Sequence, residues 1–253
     1  MLGTDLPGLL PVALLCAYLV GLSKGGLPVV GMLSVPILSF WINPLTAAAL
    51  LLPIYLVSDV YGIWLYRKTF SARNLAILIP SGVFGVVIGY LTAPYLSLAV
   101  LDGAVGAIGV FYCLRQWVFS KPSSSPTEAR IPAGVFWGTL SGLTSFVSHA
   151  GGPPFQVYVL PQKLPKLAFA GTATITFAVI NLAKLPPYLA LDQFPEMDWL
   201  LIFWLISVAL FGAWSGAKLT RRLPETIFFT AIQIALFALS LHLIWRALTG
   251  IEL

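Results

Sequence analysis

Charge is scarce in this chain of 253 residues: Asp, Glu, Lys and Arg together make up 9% of it. Soluble domains carry roughly 25% charged residues, so an ordinary globule in water is excluded. Histidine occurs only at His149 and His242, and there is no HExxH pair and no cluster of aspartates. A metal hydrolase is therefore not expected, no catalytic residue, metal ligand or cofactor is assigned, and the chain is read as a non-enzyme. The two cysteines, Cys16 and Cys113, both lie in apolar segments, where a small buried hydrophobe is the expected role rather than a disulfide. The first residues, MLGTDLPGLLPVALL, lack a basic region and are not read as a cleaved signal peptide. Strict alternation of polar and apolar residues is also missing, which argues against a membrane β-barrel. The formal net charge of +5 is read as a report on topology, with no nucleic-acid partner.

What is present in quantity is apolar: 58% of the residues. Apolar segments run over 8–24, 29–42, 45–66, 74–93, 98–118, 132–148, 152–162, 166–190, 197–217 and 225–247. Several reach the ~20 residues a spanning helix needs, which predicts an all-α polytopic membrane protein. Segments 29–42 and 152–162 are too short to span. The polar stretch SKPSSSPTEAR at 120–130 reads as an exposed linker.

The segments divide at that linker into two sets with the same order of lengths. The expected organisation is a first repeat at 1–119, a linker at 120–131 and a second repeat at 132–253, each a broken, re-entrant hairpin followed by three transmembrane helices. Pro11 and Pro132 are each followed ten residues later by a glycine, Gly21 and Gly142, then by Ser23 or Thr144 two residues on. Each half then reaches a glycine pair and a proline: Gly25, Gly26 and Pro28, then Gly151, Gly152 and Pro153. Pro44 and Pro165 open corresponding long helices, and Asp59 and Asn181 fall at nearly matching positions. Connections 67–73 and 218–224 hold basic residues and no acid, whereas 94–102 and 191–198 hold acids and no base. By the positive-inside rule the first pair is cytoplasmic and the second faces outward. Corresponding helices then run in opposite directions, so the halves are related by inversion and both termini lie outside. Small residues four apart, as in Gly85 and Gly89, Gly134, Gly138 and Gly142, and Gly212 and Gly216, predict close helix packing.

Irregular backbone survives at membrane depth only inside protein or beside water. Two glycine-pair breaks at matching places therefore point to a central site. Free N–H groups at Gly25, Gly26, Gly151 and Gly152, with the positive ends of the following helices, would favour an anion. Lys24, in the stretch GLSKGGLPVVG, has two open roles: counter-charge for an anion, or a structural partner for Asp59. His149 could donate to an anion, carry a proton, or be a satisfied buried ring. Ser23, Thr144, Ser145 and Ser148 supply hydroxyls. Thr174, Asn181 and Lys184 share one helical face, and Thr172 and Asn181 either line the cavity or bridge helices. Asp59 is the candidate for coupling to a proton or cation, with a structural ion pair as its other reading.

GLSKGGLPVVGMLSVPIL, GLTSFVSHAGGPPFQVYVL and FAGTATITFAVINLAKLPPYL resemble the repeat motifs of the sulfite exporter TauE/SafE family, also called the toluene sulfonate uptake permease family. The likeness covers nearly the whole chain. It implies a multi-pass transporter in the cell (inner) membrane that moves sulfite, a sulfonate or a related sulfur-containing organic anion. The alternative within the same architecture is an anion channel. The expected partners are a small anionic substrate and the lipid bilayer, with a homodimer left open.

Overall fold

The computed structural model describes residues 8–38, 40–42, 44–92, 95, 97–119, 125–191, 194 and 198–249. Asp192 and Glu196, acids of the 191–198 connection used for topology, lie outside the described residues. Every described element is helical: α1 (Leu9–Lys24), α2 (Pro28–Gly31), α3 (Ser34–Leu38), α4 (Pro44–Tyr66), α5 (Ala72–Thr92), α6 (Leu98–Phe119), α7 (Ile131–Ser148), α8 (Gly152–Val159), α9 (Lys166–Ala190), α10 (Trp199–Arg222) and α11 (Glu225–Thr249), with one 3₁₀ turn at Leu160–Gln162. Five helices are long and apolar enough to cross a membrane: Thr46–Tyr66, Ala72–Thr92, Lys166–Ala190, Trp199–Arg222 and Glu225–Thr249. Helix α1 covers 16 residues and α7 covers 18. Both are short of the ~30 Å hydrocarbon core at ~1.5 Å per residue.

The short segment expected over 29–42 is two pieces, α2 and α3, separated by a turn at Met32 and Leu33. Pro36 accounts for the break, because it has no N–H to give and its ring crowds the carbonyl four residues back. The expected segment 152–162 is α8 closed by the 3₁₀ turn. Helix α10 starts on a capping side chain, Asp198, which accepts the N–H groups of Leu200 (2.9 Å) and Leu201 (3.4 Å). It ends on Arg221 and Arg222, which suit the negative end of the helix dipole.

Four helix pairs make the scaffold: α1 with α10, α7 with α5, α4 with α9, and α6 with α11. Glycine makes the first two possible. A Cβ on Gly21 would fall on the carbonyl of Ala209, and one on Gly25 would fall among the backbone atoms of Ala213, Gly216 and Ala217. Residue numbers rise together along this contact, so α1 and α10 are parallel. In the other pair, Gly134 meets Ile77, Gly142 meets the backbone of Gly82, and Gly89 meets Phe146, so α7 and α5 are also parallel. The register recurs. Gly212 packs on the carbonyl of Tyr18 and Gly85 on that of Thr139, and Tyr18 and Thr139 each precede the aligned Gly21 and Gly142 by three residues.

The remaining two pairs join like to like. Gly103 meets Ala247, and Gly109 meets Ser240 and Leu236, so α6 and α11 are antiparallel. Asp59 meets Asn181, Gly62 meets Thr174, and Gly171 meets Tyr66, so α4 and α9 are antiparallel too. Asp102, counted above with an outer connection, is inside α6 and buried. Arg246 of α11 donates to its Oδ2 from Nε at 2.7 Å and again from a terminal nitrogen. An acid at that depth needs such a partner.

The outer surface is apolar. Phe84, Phe111, Phe136, Phe203, Trp204, Phe211 and Trp214 are all exposed, while the polar side chains treated next are buried. That arrangement suits a lipid solvent. Trp64, Trp199 and Trp245 are exposed near helix ends, the kind of position where tryptophan is enriched at membrane interfaces.

Candidate functional site

Helix α4 presents Tyr55 and Asp59 four residues apart, hence on one face, and α9 crosses it presenting Thr174, Phe177, Asn181 and Lys184 at helical spacing. The C-terminal residue of α1, Lys24, and the residue that ends α7, His149, complete the cluster. His149 has a left-handed backbone (φ 54°) and caps α7 by returning its N–H to the carbonyl of Ser145. Non-glycine residues rarely adopt that conformation, so the ring is held where it is by its surroundings.

Lys24 Nζ is 2.7 Å from Asp59 Oδ1. Asn181 Nδ2 donates to Asp59 Oδ2 at 2.8 Å. Lys184 Nζ donates to Asn181 Oδ1 at 3.2 Å and faces His149 Nδ1 at 3.4 Å. Lys24 also lies over the Tyr55 ring, 4.9 Å from its centroid. That ring stacks on His149 at 5.4 Å and is fixed by its hydroxyl, which donates to the Gly31 carbonyl at 2.7 Å. All the charged members are buried: Lys24 is 4% exposed, Asp59 3% and Lys184 0%.

Two lysines share this cluster with one carboxylate: Lys24 is paired with Asp59, whereas Lys184 meets the Asn181 amide and the His149 ring. Donor and acceptor between Lys184 and His149 follow the ring's tautomer: against an ammonium, which can only donate, Nδ1 accepts and the imidazole proton sits on Nε2. That Nε2, like Thr174 Oγ1, is buried without a hydrogen-bond partner. Both belong to residues lining a cavity of about 40 Å³, together with Ser23, Lys24, Pro28, Gly31, Met32, Tyr55, Ser145, Ala173, Phe177 and Asn181. One water needs roughly 10–15 Å³ on this measure, so the space suits a few waters or a small oxyanion. Its walls offer donors and aromatic rings, and Asp59, the acid nearest by, is held by Lys24 and Asn181.

Of the residues singled out from sequence, Lys24, Asp59, His149, Asn181 and Lys184 come together here. Ser23 lines the cavity, but its hydroxyl donates to the Val20 carbonyl at 2.6 Å. Thr172 lies elsewhere: it bonds the Ala168 carbonyl and accepts the Ser71 N–H at 2.9 Å, tying α9 to the connection after α4. The side chain of Ser148 is outside the described residues.

The glycine pairs are placed for packing. The N–H groups of Gly25 and Gly26 bond the carbonyls of Gly21 and Ser23. Gly26 has a left-handed backbone (φ 115°) beside Tyr66 and Thr220, and only glycine adopts that readily. Gly151 packs on Ser141 and Ser145, and Gly152 on Met32. Helix α8 begins with Gly152, Pro153 and Pro154, and the two prolines remove N–H groups that a helix start would otherwise offer. Tyr55, Met32 and Phe177 were missed from sequence. The position of Tyr55, one turn before Asp59, is the signal that could have found it.

The fold defines an all-helical protein with five helices able to cross a membrane, around a hollow lined by Lys24, His149 and Asn181. Residues 13–243 match the family described as Sulfite exporter TauE/SafE, and the chain belongs to that family. Its members are membrane transporters, not enzymes. No curated protein and no solved structure matches the chain.

Proposed function

We propose that the chain is a secondary transporter that carries a small sulfur-containing anion, such as sulfite or a sulfonate, across the plasma membrane. The observation that carries this reading is Lys24, buried with Lys184 close by, lining a cavity onto which the unpartnered His149 Nε2 and Thr174 Oγ1 open. The family supplies the sulfur chemistry. The ligand's oxygens meet Lys24 Nζ, His149 Nε2–H and the Thr174 hydroxyl, while Lys184 and Asn181 hold His149 and Asp59 in place. Asp59 is the acid at which a coupling proton or cation would act. Gly25, Gly26, Gly151 and Gly152 contribute by letting the helix ends pack closely around the site.

The two halves, 1–119 and 132–253, act as inverted repeats. Support comes from the parallel pairs α1–α10 and α7–α5 and the antiparallel pairs α4–α9 and α6–α11, which exchange when the halves are swapped. In this reading α1 with α2–α3, and α7 with α8, are re-entrant hairpins, 67–73 and 218–224 face the cytoplasm, and both termini face outward. Burial of every charged group in the cluster supports a carrier over an open anion channel.

The test is thermal unfolding of the purified chain with sulfite, an alkyl sulfonate, a carboxylate and phosphate. A ligand of the native state stabilises it by RT ln(1 + [L]/Kd), about 2.7 kcal/mol at a hundredfold excess over Kd. Stabilisation by the sulfur anions and not by a carboxylate is expected. A flat response to all four would end the proposal.

A further inference from the structure

Two tyrosines make the same tie on opposite sides of the Asp59–Asn181 crossing. Tyr66 follows Asp59 by seven residues on α4, and Tyr188 follows Asn181 by seven on α9. Tyr66 donates its hydroxyl to the Gly25 carbonyl at 2.7 Å, and Tyr188 donates to the Phe146 carbonyl at 2.9 Å. Gly25 and Phe146 are themselves equivalent, each four residues beyond the aligned Gly21 and Gly142. Each tyrosine thus ties its own long helix to the end of the shorter helix in its own half, where carbonyls lack intrahelical partners.

The two ties point opposite ways. Helices α4 and α9 are antiparallel and meet at Asp59 and Asn181, so each tyrosine lies about 10 Å beyond the crossing, at ~1.5 Å per residue, in opposite directions. Beyond Tyr66 is a separate cavity of about 340 Å³ lined by Arg67, Lys68 and Arg221. Tyr188 packs edge-on to Phe146, with ring centroids 5.5 Å apart, and faces His149 and Phe194. Both tyrosines are buried, 3% and 4% exposed. A buried hydroxyl must keep a partner, so each latch can open only when its helix end moves.

We infer that Tyr66 and Tyr188 are the paired gate residues of the transport cycle, which rests on the reading of the central cavity as the anion site. Opening to the basic mouth releases Tyr66 from Gly25. Opening to the opposite face releases Tyr188 from Phe146. In this scheme the occluded state is the one that keeps both ties.

The experiment reads access. A cysteine replaces Ser145, which lines the cavity, after Cys16 and Cys113 are changed to alanine. An anionic, membrane-impermeant methanethiosulfonate is applied to right-side-out and to inside-out vesicles. Tyr66→Phe is expected to speed labelling from the side of Arg67 and Arg221 only, and Tyr188→Phe from the other side only. Loss of one net hydrogen bond sets the gain at about five- to tenfold. Should a phenylalanine variant not fold, Tyr66→His or Tyr188→His, whose shorter ring does not reach the carbonyl, carries the same one-sided expectation. Unchanged labelling, or gain from the same side in both variants, overturns the assignment. Labelling reports gates whether or not sulfite binds, so failure of the sulfur-anion reading shows separately, as no thermal response of the parent to sulfite.

Discussion

Asp59 and Asn181 are hydrogen-bonded to each other, Nδ2 to Oδ2 at 2.8 Å, where α4 and α9 cross. In the proposed repeat they fall at nearly matching positions, one an acid and the other an amide. The amide donates to the carboxylate with its nitrogen and accepts from Lys184 with its oxygen at 3.2 Å, which a second ionised carboxylate could not do. Lys24 has a counterpart too: it follows Gly21 by three residues as Ser145 follows Gly142, and both line the cavity. In the proposed repeat, charge at the centre is asymmetric while the glycine packing around it is paired.

Lys24→Ala should remove anion binding, because the ammonium faces the cavity and no other group can take its place. It should also cost about 3–5 kcal/mol, since Asp59 is left buried without its ion. In Lys24→Ala/Asp59→Asn, stability should return toward the parent while binding stays absent. Thermal unfolding with and without sulfite checks both. Undiminished affinity in either variant would falsify the counter-charge role.

His149→Asn should weaken sulfite binding roughly ten- to a hundredfold, the worth of a hydrogen bond to a charged group at about 1.5–3 kcal/mol. Asparagine tolerates the left-handed backbone, so the variant is expected to fold. Titration calorimetry measures the affinity, and a value equal to the parent's would remove Nε2 from the site.

Gly21→Ala and Gly142→Ala each drive a methyl into a backbone carbonyl of the neighbouring helix. Each should destabilise by more than the ~1–3 kcal/mol usual for overpacking, since backbone gives way less than a side chain. Gly103→Ala, whose added carbon would sit 3.3 Å from the Ala247 Cβ, should change stability by less than about 0.5 kcal/mol. Comparable melting temperatures for all three would mean that the α1–α10 and α7–α5 contacts are looser than described.

Single cysteines at Thr69 and Arg222 should react only from the cytoplasm, and one at Tyr95 only from outside. Labelling of Thr69 and Arg222 from different faces would break the inverted arrangement. Neutralising Arg221 and Arg222 should leave equilibrium affinity for sulfite unchanged; a collapse would move the site to that mouth.

Much of this was legible before any coordinates. Apolar runs report a lipid solvent directly, because hydrocarbon tolerates few charges, and α4 to α7 and α9 to α11 fall within a few residues of the runs expected. Lys24 and Asp59 stood out for the same reason: ionised groups at membrane depth need partners. The break after Lys24 was visible, but its division into α2 and α3 was not, since Pro36 was not weighed against the apolar run around it.

Sequence by itself determined the solvent and the identity of the buried ions, because these depend on composition and local spacing. Only the tertiary structure decided what the glycines do and which donors stay free. It gives the N–H groups of Gly25 and Gly26 to their own helix, sends Thr172 to the Ser71 N–H, and leaves His149 Nε2 and Thr174 Oγ1 open. Hydrogen-bond partners are assigned by which helices cross where, and crossings such as that of α4 and α9 join residues far apart in the chain.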